Sequence, residues 1–284
     1  MNNAPISRSN DGMNRPVLHH YTDFYGLSGI VRSKSIWCTK IQHLNDSKEL
    51  VDGFDNLIRA CKQRSEFSAI HAELPEVTRR FGQLNLFVAS FSDAADTLSQ
   101  WRGYAGNSGV SVTFCFKTLR SQARSQGFQL RKCIYSDQDK KNALRDFLEQ
   151  YTQEHKVTPK EHQSWNLVNK FIGIAARFKN SSFTEENEWR LISRVTSIAE
   201  KKIKTRPSAG GIFPYVEFDL KTGQTPMLTD IQPWRTNEDI CIRSVIIGPH
   251  RDQDLQMNAV GTLFDSQNAF VKSISRSGIP FRVL

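Results

Sequence analysis

Residues 183–194 read FTEENEWRLISR, from Phe183 to Arg194, the densest cluster of charged and aromatic side chains in the chain. Glu186, Glu188, Arg190 and Ile192 recur at every second position, with Asn187, Trp189, Leu191 and Ser193 between them. A strand sends successive side chains to opposite faces. The spacing therefore predicts a strand over about 186–195 with Trp189 and Leu191 turned to a core. The other face carries two carboxylates beside a guanidinium, and is either a solvated sheet face or one wall of a site.

An apolar strand face needs partners to cover it, and candidates lie on both sides of this segment. Upstream are VLHHY (Val17–Tyr21), SIWCT (Ser35–Thr39), LNLFVASFS (Leu84–Ser92), GVSVTFCFK (Gly109–Lys117) and Arg131–Tyr135. Downstream are Phe213–Leu220, Asp239–Gly248 and Ala269–Ile274. Between them lie helical patterns. One is capped by Thr22 or Asp23; another opens on a capping box, Asp46 with Glu49, and runs to about Arg64. Pro75 starts a further helix, Asp96 caps TLSQWRGYA, and two helices cover Asp137–His155 and Pro159–Lys179. Asp252 or Asp254 caps the last. The basic stretch Lys201, Lys202, Lys204 and Arg206, ending in PSAGG, reads as a mobile loop. Strands and helices interleave without a regular βαβ rhythm, which predicts an α+β fold rather than a doubly wound sheet. Residues 1–15 read as a disordered tail, and 16–284 as a single mixed domain.

Composition bounds the function. The 284 residues carry 38 Lys and Arg against 29 Asp and Glu, a net charge of +9, and the sequence pI is about 9.4. That balance favours anionic partners such as nucleotides or nucleic acid, or is simply a solvated basic surface. Five cysteines, Cys38, Cys61, Cys115, Cys133 and Cys241, show no CxxC spacing. They argue against a metal site or disulfide framework and for a reducing compartment. No signal peptide or membrane-spanning run is legible, so the expected location is the cytoplasm, with no membrane partner. The sequence has no GxGxxG after a strand, no GxxxxGK[ST], no HExxH and no GxSxG, which disfavours Rossmann, P-loop, zincin and α/β-hydrolase chemistry.

The order of several short motifs is more specific than any one of them. HHYT at 19–22, LND with Glu49 at 44–49, SFS at 90–92, WRGYA at 101–105, GVSVTF at 109–114, ENEWR at 186–190 and VIIG at 245–248 together resemble the uncharacterised bacterial family DUF2971. A more distant resemblance is to ADP-ribosyltransferase-like folds. These place a His or Arg on the first strand, a Ser- or Tyr-bearing strand next, and a Glu, often as E-x-E, on a later strand. His20, the pair Ser90 and Ser92, and Glu186-x-Glu188 match those places in order. The sequence departs from that pattern in reading HHYT rather than HGT and in two added helices before the glutamates.

The resemblance implies a central, mainly antiparallel sheet split in ADP-ribosyltransferase-like fashion and flanked by helices. It implies NAD as cofactor, no metal, and a macromolecular acceptor or water, as in a toxin or phage-defence effector. Cleaving the nicotinamide glycosidic bond passes through an oxocarbenium-like transition state. Glu188 would stabilise that charge, Glu186 would orient or deprotonate the acceptor, and His20 would bond the ribose. Tyr21 or Trp101 would pack on the nicotinamide and Arg102 would meet the pyrophosphate; Thr22, Ser90 and Ser92 complete the expected cofactor-binding set. Against this stand plainer readings: exposed strand glutamates paired with Arg190, a core His20 bonded to a carbonyl, a core Trp101, ladder-side serines. The competing functional reading is a non-catalytic nucleic-acid-binding module using the basic surface.

Overall fold

The computed structural model describes residues 17–44, 47–68, 71, 74–75, 84–106, 108–154, 163–195, 202–208, 210–222 and 240–280. The expected tail, Asp46 of the capping box and the stretch 76–83 lie outside them. Ten strands form one sheet: β1 (Val17–Thr22), β2 (Ser35–Lys40), β3 (Phe87–Ser92), β4 (Val110–Cys115), β5 (Gln129–Lys132), β6 (Glu188–Ile192), β7 (Lys204–Ser208), β8 (Gly211–Asp219), β9 (Ile242–Ile247) and β10 (Ser273–Arg276). The described helices are α1 (Phe24–Ser33), α2 (Ser47–Lys62), α3 (Leu98–Tyr104), α4 (Phe116–Ser125), α5 (Asp137–Glu154), α6 (Gln163–Ala175) and α7 (Gln253–Ser266). The pairing β9–β10 is parallel and the other strand pairings are antiparallel. The protein is α+β.

The node of the sheet is β3, which meets three strands. β6 pairs with it along one edge, from Val88–Ile192 to Ser92–Glu188. On the opposite edge β2 holds its beginning, at Thr39–Val88 and Lys40–Phe87, and β1 holds its end, at His19–Ser92. Across Ala89–Phe91 the two strands diverge and the sheet splits. β4, β9 and β10 continue outward from β1, and β8 and β7 from β2.

Alternation along β3 and β6 builds a core on each face of the sheet. Phe87, Ala89, Phe91 and Leu191 join Leu27, Ile30 and Val31 of α1 and Val260 and Phe264 of α7. Val88 and Ile192 face the other way, onto Leu50, Phe54 and Leu57 of α2, Leu148 of α5 and Phe171 of α6. Burying such side chains removes about 1.5–3 kcal/mol each from water. Both layers therefore fasten on the same two central strands.

Several local expectations change. The strands expected over Arg131–Tyr135 and Ala269–Ile274 lie instead at Gln129–Lys132 and Ser273–Arg276. The strand over Gly109–Lys117 ends at Cys115, and Phe116 opens α4, whose Leu119 and Ala123 are buried at helical spacing. The basic stretch expected to be a loop contains a strand, β7, paired to β8 from Lys204–Tyr215 to Ser208–Gly211. Its charges and proline suit a sheet edge, where one side of the backbone needs no partner. Asp96 is not the cap of α3, which begins after Thr97. Its carboxylate instead accepts from Trp101 Nε1 at 2.6 Å, Ser277 Oγ at 2.6 Å and Gly278 N at 2.7 Å, tying α3 to the end of β10.

Candidate functional site

The split opens into a cleft of about 240 Å³. Its walls come from β1, β2, β3 and β6, from glycine-bearing turns of α1, and from Tyr104 of α3. Six expected site residues line it: His20, Tyr21, Thr22, Ser90, Glu186 and Glu188. Three do not. Ser92 is buried, its hydroxyl donating to Glu186 O at 2.7 Å and accepting from Ala94 N at 3.0 Å. Trp101 is 2 % exposed, edge-on to Tyr21 with ring centroids 4.7 Å apart, so it is a core ring rather than a stacking platform. Arg102 lies in a separate surface depression with Glu185.

His20 stands where the strands part. Its Nδ1 lies 2.8 Å from the Ser90 carbonyl, an acceptor on the β3 edge beside the split. Bonding a carbonyl requires the proton on Nδ1 and leaves Nε2 with its lone pair. Burial lowers the His20 pKa and nearby Arg206 adds to the shift, while the bond to Ser90 opposes it. The ring is therefore neutral at neutral pH.

His19, the first residue of the HHYT motif, also lines the cleft. Register pairs it with Ser92, so it shares the face of Ser90 and Glu188, whereas His20 stacks against Phe91. Its Nδ1 lies 3.2 Å from Thr113 Oγ1, and burial pulls its pKa down to about 4, against the opposing charge of Asp93.

Glu186 and Glu188 do not share a strand face. Glu186 ends a 3-10 turn, Ser181–Glu186, and Asn187 takes a left-handed conformation with φ 43° before β6 begins. Asparagine tolerates that region better than most residues. The kink still brings both carboxylates to one cation: Lys179 Nζ donates to Glu186 Oε2 at 2.6 Å and to Glu188 Oε2. Arg190 Nε donates to Glu188 Oε1 at 2.8 Å, and its Nη1 donates to Ala176 O at 2.8 Å. Ser90 Oγ donates to Glu188 Oε1 at 2.6 Å. Tyr104 OH reaches both Glu186 oxygens, at 3.3 and 3.2 Å.

Glu188 and Arg190 are each 3 % exposed, so this is no solvated face. Burial alone would raise the Glu188 pKa. The charges of Arg190 and Lys179 and their hydrogen bonds outweigh it and hold the carboxyl down to about 2. Burial likewise opposes the Lys179 ammonium, but Glu188 and the bonds to both glutamates raise its pKa. The cluster sets two carboxyl groups against two cations in a low-dielectric pocket, where removing one member leaves an uncompensated charge.

Lys179 escaped the sequence reading because nothing in its spacing marks it. It follows the apolar stripe of α6 and enters the site because Ile134 and Phe178 bridge, with Lys179 N donating to Ile134 O at 3.0 Å. Among the described residues no group of three or more His, Cys, Asp and Glu is placed to hold a metal ion. Among them, too, no helix is long and apolar enough to cross a membrane.

The fold and cleft define a class: an α+β protein whose mainly antiparallel sheet splits over a pocket lined by histidines and glutamates among apolar side chains. A family model described as Protein of unknown function (DUF2971) matches residues 100–191. That interval holds Tyr104, Lys179, Glu186, Glu188 and Arg190; HHYT, SFS and VIIG lie outside it. No curated protein and no solved structure matches the chain.

Proposed function

We propose that the cleft binds NAD and that the protein is an ADP-ribosyltransferase-like enzyme. It would pass the ADP-ribosyl group to a macromolecule or to water. The observation that carries this reading is a continuous chain across three adjoining strands: His20 bonds the Ser90 carbonyl, and the Ser90 hydroxyl bonds Glu188. Histidine, serine and glutamate thus meet at a sheet split, in the strand order that the resemblance implies.

In this chemistry the bond from ribose C1′ to the nicotinamide nitrogen breaks and nicotinamide departs with the electron pair. The acceptor, or water, bonds C1′ and loses a proton. Glu188, ionised and fixed by Ser90, Arg190 and Lys179, would oppose positive charge developing on the ribose. Glu186, bonded to Tyr104 and Lys179, takes the role of receiving the acceptor proton or orienting it. His20 offers Nε2 as an acceptor for a ribose hydroxyl.

A second reading is favoured by the saturation of Glu188. With Ser90, Arg190 and Lys179 on its oxygens, the carboxylate suits a structural cluster in a cleft that binds a ligand without cleaving it. Incubating the protein with NAD and following nicotinamide release, with and without candidate acceptors, separates the two. Release abolished by Glu188→Gln supports the enzyme. NAD binding without release under every condition supports the second reading.

A further inference from the structure

We propose that Arg206, seated on Trp37 in the cleft wall, anchors a phosphate or pyrophosphate group of the ligand. The inference rests on reading the cleft as a nucleotide site and assigns that site its anion contact. The geometry begins with register. Arg206 of β7 pairs with Phe213 of β8, Tyr215 of β8 pairs with Thr39 of β2, and Glu217 pairs with Trp37. These residues share one sheet face. The arginine spans β8 to donate from Nη2 to Thr39 Oγ1 at 3.2 Å, with its guanidinium 5.5 Å from the Trp37 ring centroid. Trp37 is itself backed by Tyr215, centroids 4.8 Å apart.

Three features point to an anionic oxygen ligand. First, no carboxylate among the described residues pairs with Arg206, although Lys204 two positions earlier is paired with Glu217 at 2.8 Å. A guanidinium held against an aromatic face and without a counter-ion retains its full charge for a ligand. Second, two buried donors of this wall, Arg206 Nε and Trp37 Nε1, have no acceptor among the described residues. Buried N–H groups are nearly always bonded, so an acceptor arriving from outside accounts for both. Third, the cleft is electrically divided. Glu186 and Glu188 are compensated by Lys179 and Arg190, while Arg206 is left uncompensated. Phosphate fits the donor set because guanidinium N–H groups match its oxygens in parallel pairs.

The test is calorimetric titration of the full chain with ADP-ribose, inorganic pyrophosphate and adenosine, run beside a nicotinamide-release assay. Arg206→Gln is expected to weaken ADP-ribose and pyrophosphate roughly tenfold to a hundredfold, the scale of hydrogen bonds to a charged group, with adenosine unchanged. Arg206→Lys should recover part of the loss, and Lys204→Gln should bind as the parent does. Should Arg206→Gln melt early, Thr39→Val removes the hydroxyl that aims the guanidinium and should give an intermediate loss. ADP-ribose binding that is equal in the parent and a normally melting Arg206→Gln overturns the inference and leaves the NAD reading standing. Arg206-dependent pyrophosphate binding without nicotinamide release keeps the inference and removes that reading. A parent protein that binds neither phosphate probe overturns both.

Discussion

The Ser90 hydroxyl donates to Glu188 Oε1 at 2.6 Å, from a strand flanking the split to its neighbour on the far edge. The same residue's carbonyl faces His20 at 2.8 Å. One serine therefore fixes both flanks of the cleft and carries no charge itself, which makes it the cleanest handle on the site.

Ser90→Ala should leave the ion cluster balanced. Losing one hydrogen bond to a carboxylate costs about 1.5–3 kcal/mol of stability, and nicotinamide release should fall roughly tenfold. A melting curve and the release assay measure the two effects. Unchanged release would remove the His–Ser–Glu chain from the mechanism.

Glu188→Gln has a double effect. As a charge stabiliser its loss should slow release by roughly 10²–10³. Its burial with Lys179 and Arg190 means the variant also leaves a surplus cation, costing about 3–5 kcal/mol. A solvated polar face, one of the two readings that alternation allowed, would have spared the fold. The charge-balanced pair Glu188→Gln with Lys179→Met should regain stability without regaining activity. Recovery of both would make Glu188 purely structural.

Acid should unfold the protein in two overlapping windows. Between pH 6.5 and about 4 the unfolded chain holds a proton on His19 that the folded chain refuses, so falling pH favours unfolding. Glu188 is held down from 4.5 to about 2, so its stabilisation is complete above pH 4.5 and is lost as pH falls from there towards 2. That shift corresponds to about 3 kcal/mol. Melting temperature against pH should show both windows, and His19→Gln should shrink the upper one to the part that buried His20 supplies while leaving the lower one unchanged. A flat profile from pH 7 to 4 would contradict the burial of His19.

Gly109→Ala tests the packing behind the cleft. A Cβ at this position would meet Thr22 O at 2.4 Å and Ala105 O at 2.7 Å, both backbone atoms that cannot swing aside. The strand end and α3 must separate, at about 1–3 kcal/mol. Chemical denaturation measures it, and a wild-type midpoint would mean that the turn relaxes freely.

What was legible in the sequence follows from what decides each feature locally. Alternation in GVSVTFCFK, VLHHY and EWRLI located β4, β1 and β6, because each strand buries at least one face. Asp252 was legible as a cap, and its carboxylate accepts from Leu255 N at 3.0 Å. Alternation failed at Asn187, where a left-handed residue breaks the period, and at Phe116, where a helix begins without any break in apolar content. In the site, His20, Ser90 and Glu188 could be nominated because the resemblance to ADP-ribosyltransferase-like folds places a His, a Ser and a Glu on successive strands. Lys179 and His19 could not, and Arg206 was legible only as one member of a basic run. Lys179 enters by a bridge between distant segments, His19 by a register set on β3, and Arg206 by reaching over β8. Pairings of that range leave no mark on local spacing.

The parting of β1 and β2 over Ala89–Phe91 makes the molecule a reporter of its own occupant. Whatever lodges there touches strands that lead to opposite wings of the sheet, one running to β10 and the other to β7. A compound spanning the gap links the wings in the native state and has no equivalent grip on the unfolded chain. Each hundredfold excess over its dissociation constant then adds about 2.7 kcal/mol to the unfolding free energy. A thermal-shift survey of nucleotides, sugar phosphates and nucleobases would thus rank ligands before any reaction is known.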